Sequence, residues 1–596
     1  MVQSATNGKE TEEWKQYQAG INYNHKINLY ETVNKNERFY AGDQWSGVVS
    51  NGLPTPVFNI LKRIINYFVS AILSQNTTLH FVPETSGNGT PEEEEQIKKA
   101  SQLISDYSAT LWEKNKMNYK LRQWLLDSAI SGDACGYVWW NPNIDTGQMA
   151  QGDIDVDAID NVNVFFGDPN ERDVQKQRYI IISARELVAN LQDEARANGM
   201  SEEDVGKISS DEDSSYQSGD RSKIQLENKS EGMGKTTSLL KLYKKNGTVY
   251  AKKLTKFTAI REEWDTRLSL YPVTWMNWDL RKNSYHGQAL VTGIIPNQIF
   301  INKMFAMSMM SLMHTAFPKV IYNKNMISAW NNQIGSAIGI ERMGNESISN
   351  VAQYMNAGQM SEQVMRTIDQ AINYTKDMLG ANDNLLGDIN PERASGRSII
   401  AVQQASAVPL ENIKQHMYQF LEDMGYIWLD YVTNYYGVRK IDAEILGQRQ
   451  VVEFDFDQLR AIKFRLKIEV GASSYWSELA SIETLDKLLQ QESITFKQYL
   501  ERIPAGLIAQ KQSLLEDIKN QDVKQKFIYE QMARFVEQLP PEMQMQIQQL
   551  PPEEQEQQIM GMMMQPQPPM PPQMQPQMQQ QPGQQVQQPL RGGEMA

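Results

Sequence analysis

The sequence predicts an α+β fold dominated by long helices, on three observations. Apolar residues recur at steps of three and four from Ser395 to Tyr436, one helical stripe sustained over many turns. Short alternating runs between Gly136 and Trp278, one pair joined by Asn246-Gly247, read as strands. A length of 596 residues allows about three or four domains with ample core.

In chain order, Glu12 to Trp45 reads as helical, anchored by Phe39, Tyr40 and Trp45. A second helix spans about Asn59 to Ser74, burying Ile60, Ile64, Ile65, Phe68, Ala71 and Ile72, and Leu79 to Pro83 is a short strand. Glu92 to Ile130 is helical with a break near Asn115, stopped by Ser131-Gly-Asp133. Strands follow at Gly136–Trp140, Met149–Ala158, Asn161–Phe166 and Tyr179–Ile182. Ser183 and Glu186 have capping-box spacing and are expected to open a helix to about Ala195. From Arg196 to Lys235 the chain turns acidic and Ser/Gly-rich, the composition of a mobile insertion. Thr237–Lys245 and Thr248–Thr258 make a hairpin, and Tyr271–Trp278 another strand.

A Met-rich helix is expected from Pro296 to about Thr315, stopped by Pro318. Its methionines fit a buried core helix or a helix packed on other subunits, where Met fills irregular gaps. Lys319–Tyr322 and Ile338–Arg342 read as short strands, and Met360–Leu379 as a helix with Val364, Ile368, Ala371, Ile372, Thr375, Met378 and Leu379 on one face. Gly380–Arg393 is dense in turn formers and reads as a loop. The Ser395–Tyr436 helix would be about 60 Å long. Pro409 cannot donate to the Ala405 carbonyl, so a kink is expected there. Val451–Phe456 and Ile462–Val470 alternate as strands, and Glu478 to Val536 is helical, broken at Pro504. Residues 540–596 hold 12 of the 24 prolines and no aromatic residue, a tail expected to be disordered.

Chemistry-bearing motifs fail one by one. Gly232-Met-Gly-Lys-Thr-Thr237 mimics a phosphate loop but has Lys229 where a glycine belongs, and reads as a linker entering a strand. Asp153-Ile-Asp-Val-Asp157 mimics a calcium loop, yet Ala158 and Val164 occupy the required Gly and Glu positions, so it reads as a half-exposed strand. Cys135 reads as a small buried thiol. Five scattered histidines make no zinc-type cluster. No active site, metal or cofactor is expected. The Met304–Phe317 run is too short to span a bilayer, so a soluble chain is expected.

Asn36–Trp45 followed by Pro56-Val-Phe-Asn-Ile-Leu-Lys-Arg-Ile-Ile-Asn66 resembles the opening of portal proteins of tailed double-stranded DNA bacteriophages, the short-tailed type above all. The likeness continues in Ser131-Gly-Asp-Ala-Cys-Gly136, Phe166-Gly-Asp-Pro169, Gly287 through Pro296-Asn-Gln to Asn302, and Ala394-Ser-Gly-Arg-Ser398. It covers roughly residues 30 to 470 and rests on element order more than on any one motif. The resemblance implies a ring of about twelve copies at one capsid vertex, through which DNA enters and leaves. It implies a wing (1–285, with the insertion 196–235), stem helices (286–315 and 359–379), a clip (316–358), a tunnel loop (380–394), a kinked bridging helix with the rest of the wing (395–470), a crown (471–538) and the tail (539–596). Partners implied are further copies of the chain, the major capsid protein, a terminase motor, adaptor or tail proteins and the passing duplex, in a virion assembled in the host cytoplasm, with no membrane.

By position, Lys376, Asn382, Asn384, Arg393 and Arg397 would face the channel, with ordinary surface ion pairing the favoured alternative for the cations. Lys319, Lys324 and Arg342 would serve partner contact at the clip. The net charge of −14 per chain makes about −168 in twelve copies, a sleeve that repels the duplex and lowers friction. Rival readings are a DNA-packaging ATPase, which needs the phosphate loop missing here, and a head protein without a channel.

Overall fold

The computed structural model describes residues 10–503 apart from 74–76, 85–90, 149, 211–233, 317–319, 332–337, six positions within 342–349, 355–361, 381–409, 446–447, 471–474 and 492. Beyond 503 it describes scattered positions as far as 561, all helical. The chain divides into two units, residues 1–478 and 479–596.

The helices of the first unit begin and end where local chemistry dictates. Thr11 accepts from Trp14 N at 3.2 Å and opens α1, Glu12–Lys26. Asn28 takes a left-handed conformation (φ 61°), which splits the expected single helix and starts α2, Leu29–Ala41. In α3, Ile60–Ile72, Asn59 caps Lys62 N at 3.0 Å, and Ile64, Ile65, Phe68 and Ile72 are buried as the stripe demands. The break near Asn115 is real: α4, Pro91–Lys114, gives way to α5, Met117–Ser131, through left-handed Lys116. Buried Asn115 fixes the corner by donating to the Leu111 and Ile154 carbonyls.

Two sheets organise this unit. One runs β3 (Asp153–Ile159), β2 (Asp133–Asn141), β9 (Val273–Asn277), all antiparallel. The other orders β4 (Val164–Phe166), β5 (Tyr179–Leu187), β6 (Lys235–Lys245), β7 (Thr248–Leu254) and β8 (Ala259–Asp265) as a meander. Asn246 (φ 51°) and Gly247 (φ 87°) make the expected two-residue turn between β6 and β7. A two-stranded pair joins β1 (Thr77–Pro83) to β14 (Phe464–Val470), and another joins β12 (Val438–Ile445) to β13 (Gln448–Asp455).

The long apolar stripe appears as α10, Glu411–Tyr435, which buries Met417, Phe420, Leu421, Met424, Ile427, Trp428, Tyr431 and Val432. It lies with α5 against β2, where Trp124 and Phe420 rings meet at 5.0 Å. Gly136 permits that approach: a Cβ there would sit 2.6 Å from Thr274 Oγ1 and 3.0 Å from Met424 Cε. Residues 395–409, including Pro409, lie outside the described residues.

Several expectations need correction. Ser183 and Glu186 cap nothing; they sit in β5, paired with Leu239 and Thr236, and the next helix is α6, Val188–Ala197. Nine residues of ladder with β6 outweigh one capping pattern. The stretch after Arg196 is not loose throughout, since α7, Glu202–Gly206, buries Val205 with Leu191, Ala195 and Ile260. The Met-rich helix, α8, spans Leu290–Ala316 with Pro296 inside it. Ile338–Glu341 is not a strand; the partner of β10 (Val320–Tyr322) is β11 (Ala352–Tyr354).

In the second unit, α11 (Tyr475–Gln490, starting just before the boundary) and α12 (Phe496–Arg502) are separated well before Pro504. The break is built by Thr495 and Gln498, a reciprocal capping box. Positions described between 543 and 561 are helical and Ile547 is buried, so the first part of the expected disordered tail carries structure.

Candidate channel helices and their anchorage

The two helices that the resemblance would assign to the stem, α8 and α9 (Glu362–Met378), pack together. Asn297 Nδ2 donates to Thr375 Oγ1 at 3.2 Å, with Thr375, Ile368 and Ala306 buried. The first half of α8 is rooted in the body of the unit. Pro296 leaves the Thr292 carbonyl without its helical donor, while the Thr292 hydroxyl accepts from buried Asn36 at 2.9 Å. Gln298 and Asn302 are buried and bonded to each other at 3.0 Å.

The second half of α8 differs. Met307, Met309, Leu312 and Met313 are exposed, Leu312 to 64%, as are Met365, Tyr374 and Met378 on α9. A single copy therefore leaves Met307, Met309, Leu312 and Met313 uncovered, which a helix wholly inside one subunit would not. Met378, expected on one face with Ile368 and Thr375, is exposed while those two are buried.

Just upstream of α8 lies a buried polar knot. Asp133 Oδ2 lies 2.6 Å from His286 Nδ1 and accepts from Asn161 Nδ2 at 3.1 Å. Its Oδ1 accepts from Asn277 Nδ2 at 2.7 Å and Gly287 N at 2.6 Å. The other ring nitrogen of His286 lies 3.3 Å from Asn24 Oδ1. Neither the Asp133 nor the His286 side chain touches solvent. Tyr285 stacks beside the knot, and its burial, with Asp133 and Tyr23 near, raises its phenol well above the ordinary value. This cluster ties α1, β2, β9 and the root of α8 together. Sequence reasoning saw only the Gly-Asp turn; His286 is 153 residues from Asp133, and no local pattern announces the pair.

Of the phosphate-loop look-alike, Gly232 and Met233 lie outside the described residues. Lys235, Thr236 and Thr237 are strand residues of β6, with both threonines buried. Asp153, Asp155 and Asp157 stand in a row along β3 instead of converging. Asp153 accepts from Lys114 at 3.0 Å and Tyr436 at 2.5 Å, and Asp157 from Trp139 at 2.8 Å. Among the described residues no group of three or more His, Cys, Asp or Glu could hold a metal ion, and no helix is long and apolar enough to cross a membrane. Cys135 is fully buried and its thiol is pushed up by that burial, the opposite of an activated nucleophile.

Of the residues singled out for channel and partner contact, Lys376 sits half-buried in the last turn of α9, and Lys324 is exposed in the turn after β10. Asn382, Asn384, Arg393, Arg397, Lys319 and Arg342 lie outside the described residues.

A family model of the phage P22-like portal protein matches residues 15–591, nearly the whole chain. The chain belongs to that family. No curated protein matches it. As a phage portal it is a structural component of the virion, the head–tail connector that takes part in DNA packaging, and nothing supports the packaging-ATPase alternative. The portal match extends the resemblance past residue 470 into the second unit.

Proposed function

We propose that this portal subunit assembles into a ring of about twelve copies whose central hole conducts DNA during packaging and ejection. In this reading α8 and α9 form the stem and residues 316–358 the clip on which a terminase motor and later adaptor or tail proteins dock, with Lys319, Lys324 and Arg342 among the contacts. Residues 1–285 and the C-terminal part of 395–470 form the wing, and 471–538 the crown. The loop 380–394, with Lys376 and Arg397 at its ends and Asn382, Asn384 and Arg393 within it, approaches the duplex; the bridging helix bends at Pro409. Assembly takes place in the host cytoplasm, with the major capsid protein around the ring.

The observation that carries this is the exposed apolar face on the distal half of α8 and on α9, attached to a helix root held by buried polar contacts. A rigid helix pair that leaves its methionines bare needs company from other copies. Mass measurement on the purified full chain tests it. A particle near 0.8 MDa (about twelve subunits of 68.2 kDa) with a central opening in electron micrographs is expected. A monomer, an open polymer or a closed disc without an opening would refute it.

A further inference from the structure

Between α2 and α3, residues 42–59 form a loop with a clamped base and an apolar tip. Gln44 donates to the Phe39 carbonyl at 3.0 Å and accepts from Asn302 Nδ2 at 2.6 Å. Gln298 Nε2 donates to the Phe58 carbonyl at 2.7 Å, and its Oε1 accepts from Ile60 N at 3.2 Å. Trp45 Nε1 donates across the neck to the Pro56 carbonyl at 2.8 Å. Arg38 holds both the Asp43 carboxylate and the Ser46 carbonyl. Inside this frame Gly47 (φ 79°), Asn51 (φ 48°) and Gly52 (φ 82°) make the turns.

From it Val48, Val49, Leu53, Val57 and Phe58 are exposed, Val49 to 81%. Beside the tip a cavity of about 590 Å³ opens, lined by Phe39, Trp45, Val48 and Ile299, by Lys35, Lys303 and Glu31, and by Arg38, which is paired with Asp43.

We propose that this loop and cavity form one side of the contact between neighbouring portal subunits, and that their occupant is a second copy of this chain. The proposal rests on the ring reading. A closed ring of more than two copies uses a heterologous contact, so each copy presents two different complementary surfaces. An apolar centre with a polar, charged rim is the anatomy of such a surface. Because the buried ties to α8 already fix the loop, docking orders little further chain, which favours association. With Arg38 already paired to Asp43, Lys35 and Lys303 outweigh Glu31, and this local positive excess on a chain of net charge −14 attracts another copy of that same acidic chain.

The test is a dilution series of the full chain followed by particle mass. V49D/L53D should raise the concentration for half-assembly by more than about tenfold while leaving the melting temperature of the monomer unchanged, since both side chains face solvent. V49I/L53M should assemble like the wild type. Independently, hydrogen exchange of wild-type amides in residues 46–58 should slow in the ring relative to the monomer. Rings from V49D/L53D at wild-type concentrations, or unchanged exchange, overturn this inference and leave the portal reading standing. Normal rings that fail only on meeting capsid protein assign the loop to a different partner and overturn it too. A wild type that never forms rings removes both readings.

Discussion

Replacing Asp133 by alanine should remove the keystone of the first unit. Its carboxylate is fully buried and receives three donors, with His286 Nδ1 at 2.6 Å as a fourth contact. Each buried polar group left without its acceptor costs about 1–3 kcal/mol before relaxation, and four groups face this carboxylate. These terms share one pocket and are not additive, so about 5 kcal/mol is the expected loss, comparable to the whole stability of many domains. Asp133→Asn keeps one acceptor oxygen but turns an amide group toward donors; about half that loss is expected. Urea unfolding at one protein concentration, followed by far-UV circular dichroism, gives the ordering wild type, D133N, D133A. A D133A protein within about 1 kcal/mol of wild type would show that the knot does not hold α1, β2 and α8 together.

Burial, with Asp160 and Glu37 nearby, raises the Asp127 carboxyl to about 7. Its native pKa then exceeds its unfolded one, so the native state binds the extra proton between about pH 4 and 7 and stability falls as pH rises through that window. Asp127→Asn should flatten this slope and stabilise the protein above pH 7 by about 1–3 kcal/mol; melting curves at pH 5 and pH 8 with equal mutant effects would contradict it. Gly136→Val should cost about 2–3 kcal/mol or more, because its branches meet Thr274, Met424 and Phe420 in a space closed already to a Cβ; a mutant with wild-type unfolding would refute the close packing of α10 on β2. Pro409→Ala should leave ring mass unchanged while reducing the DNA packaged per particle, measured by nuclease protection; unaltered packaging would remove the role given to the bend.

Much of the fold was legible because its signals are local. Asn59 ahead of an apolar stripe, Asn246-Gly247 between alternating runs and the apolar face of α10 each act within a few residues of themselves. The misses share the opposite character. Ser183 and Glu186 have the spacing of a cap, but the β6 ladder 50 or more residues away decides their conformation. Strand β12 was missed because Arg439 and Lys440 break its apolar alternation after Val438, and pairing with β13 makes it a strand. Pro296 resembled a helix start, and tertiary contacts of α2 and α5 with α8 carry the helix past it. Of the elements proposed to line a channel, helices α8 and α9 were readable in the sequence. Which of their faces stays bare was not, because helix packing within the subunit determines it. The Asp133–His286 knot was hidden for the same reason, both residues being ordinary in their own neighbourhoods.

The pairing of β1 with β14 has a consequence for synthesis. Thr77 lies opposite Val470, so the strand made early waits for one made roughly 390 residues later. At about 5–20 residues per second on the ribosome, that delay lasts roughly 20–80 seconds. Throughout it Leu79 and Phe81, buried in the finished protein, have no partner strand, and an unpaired edge invites association with other nascent chains. A chaperone able to cover the first hundred residues during translation should therefore raise the yield of this subunit.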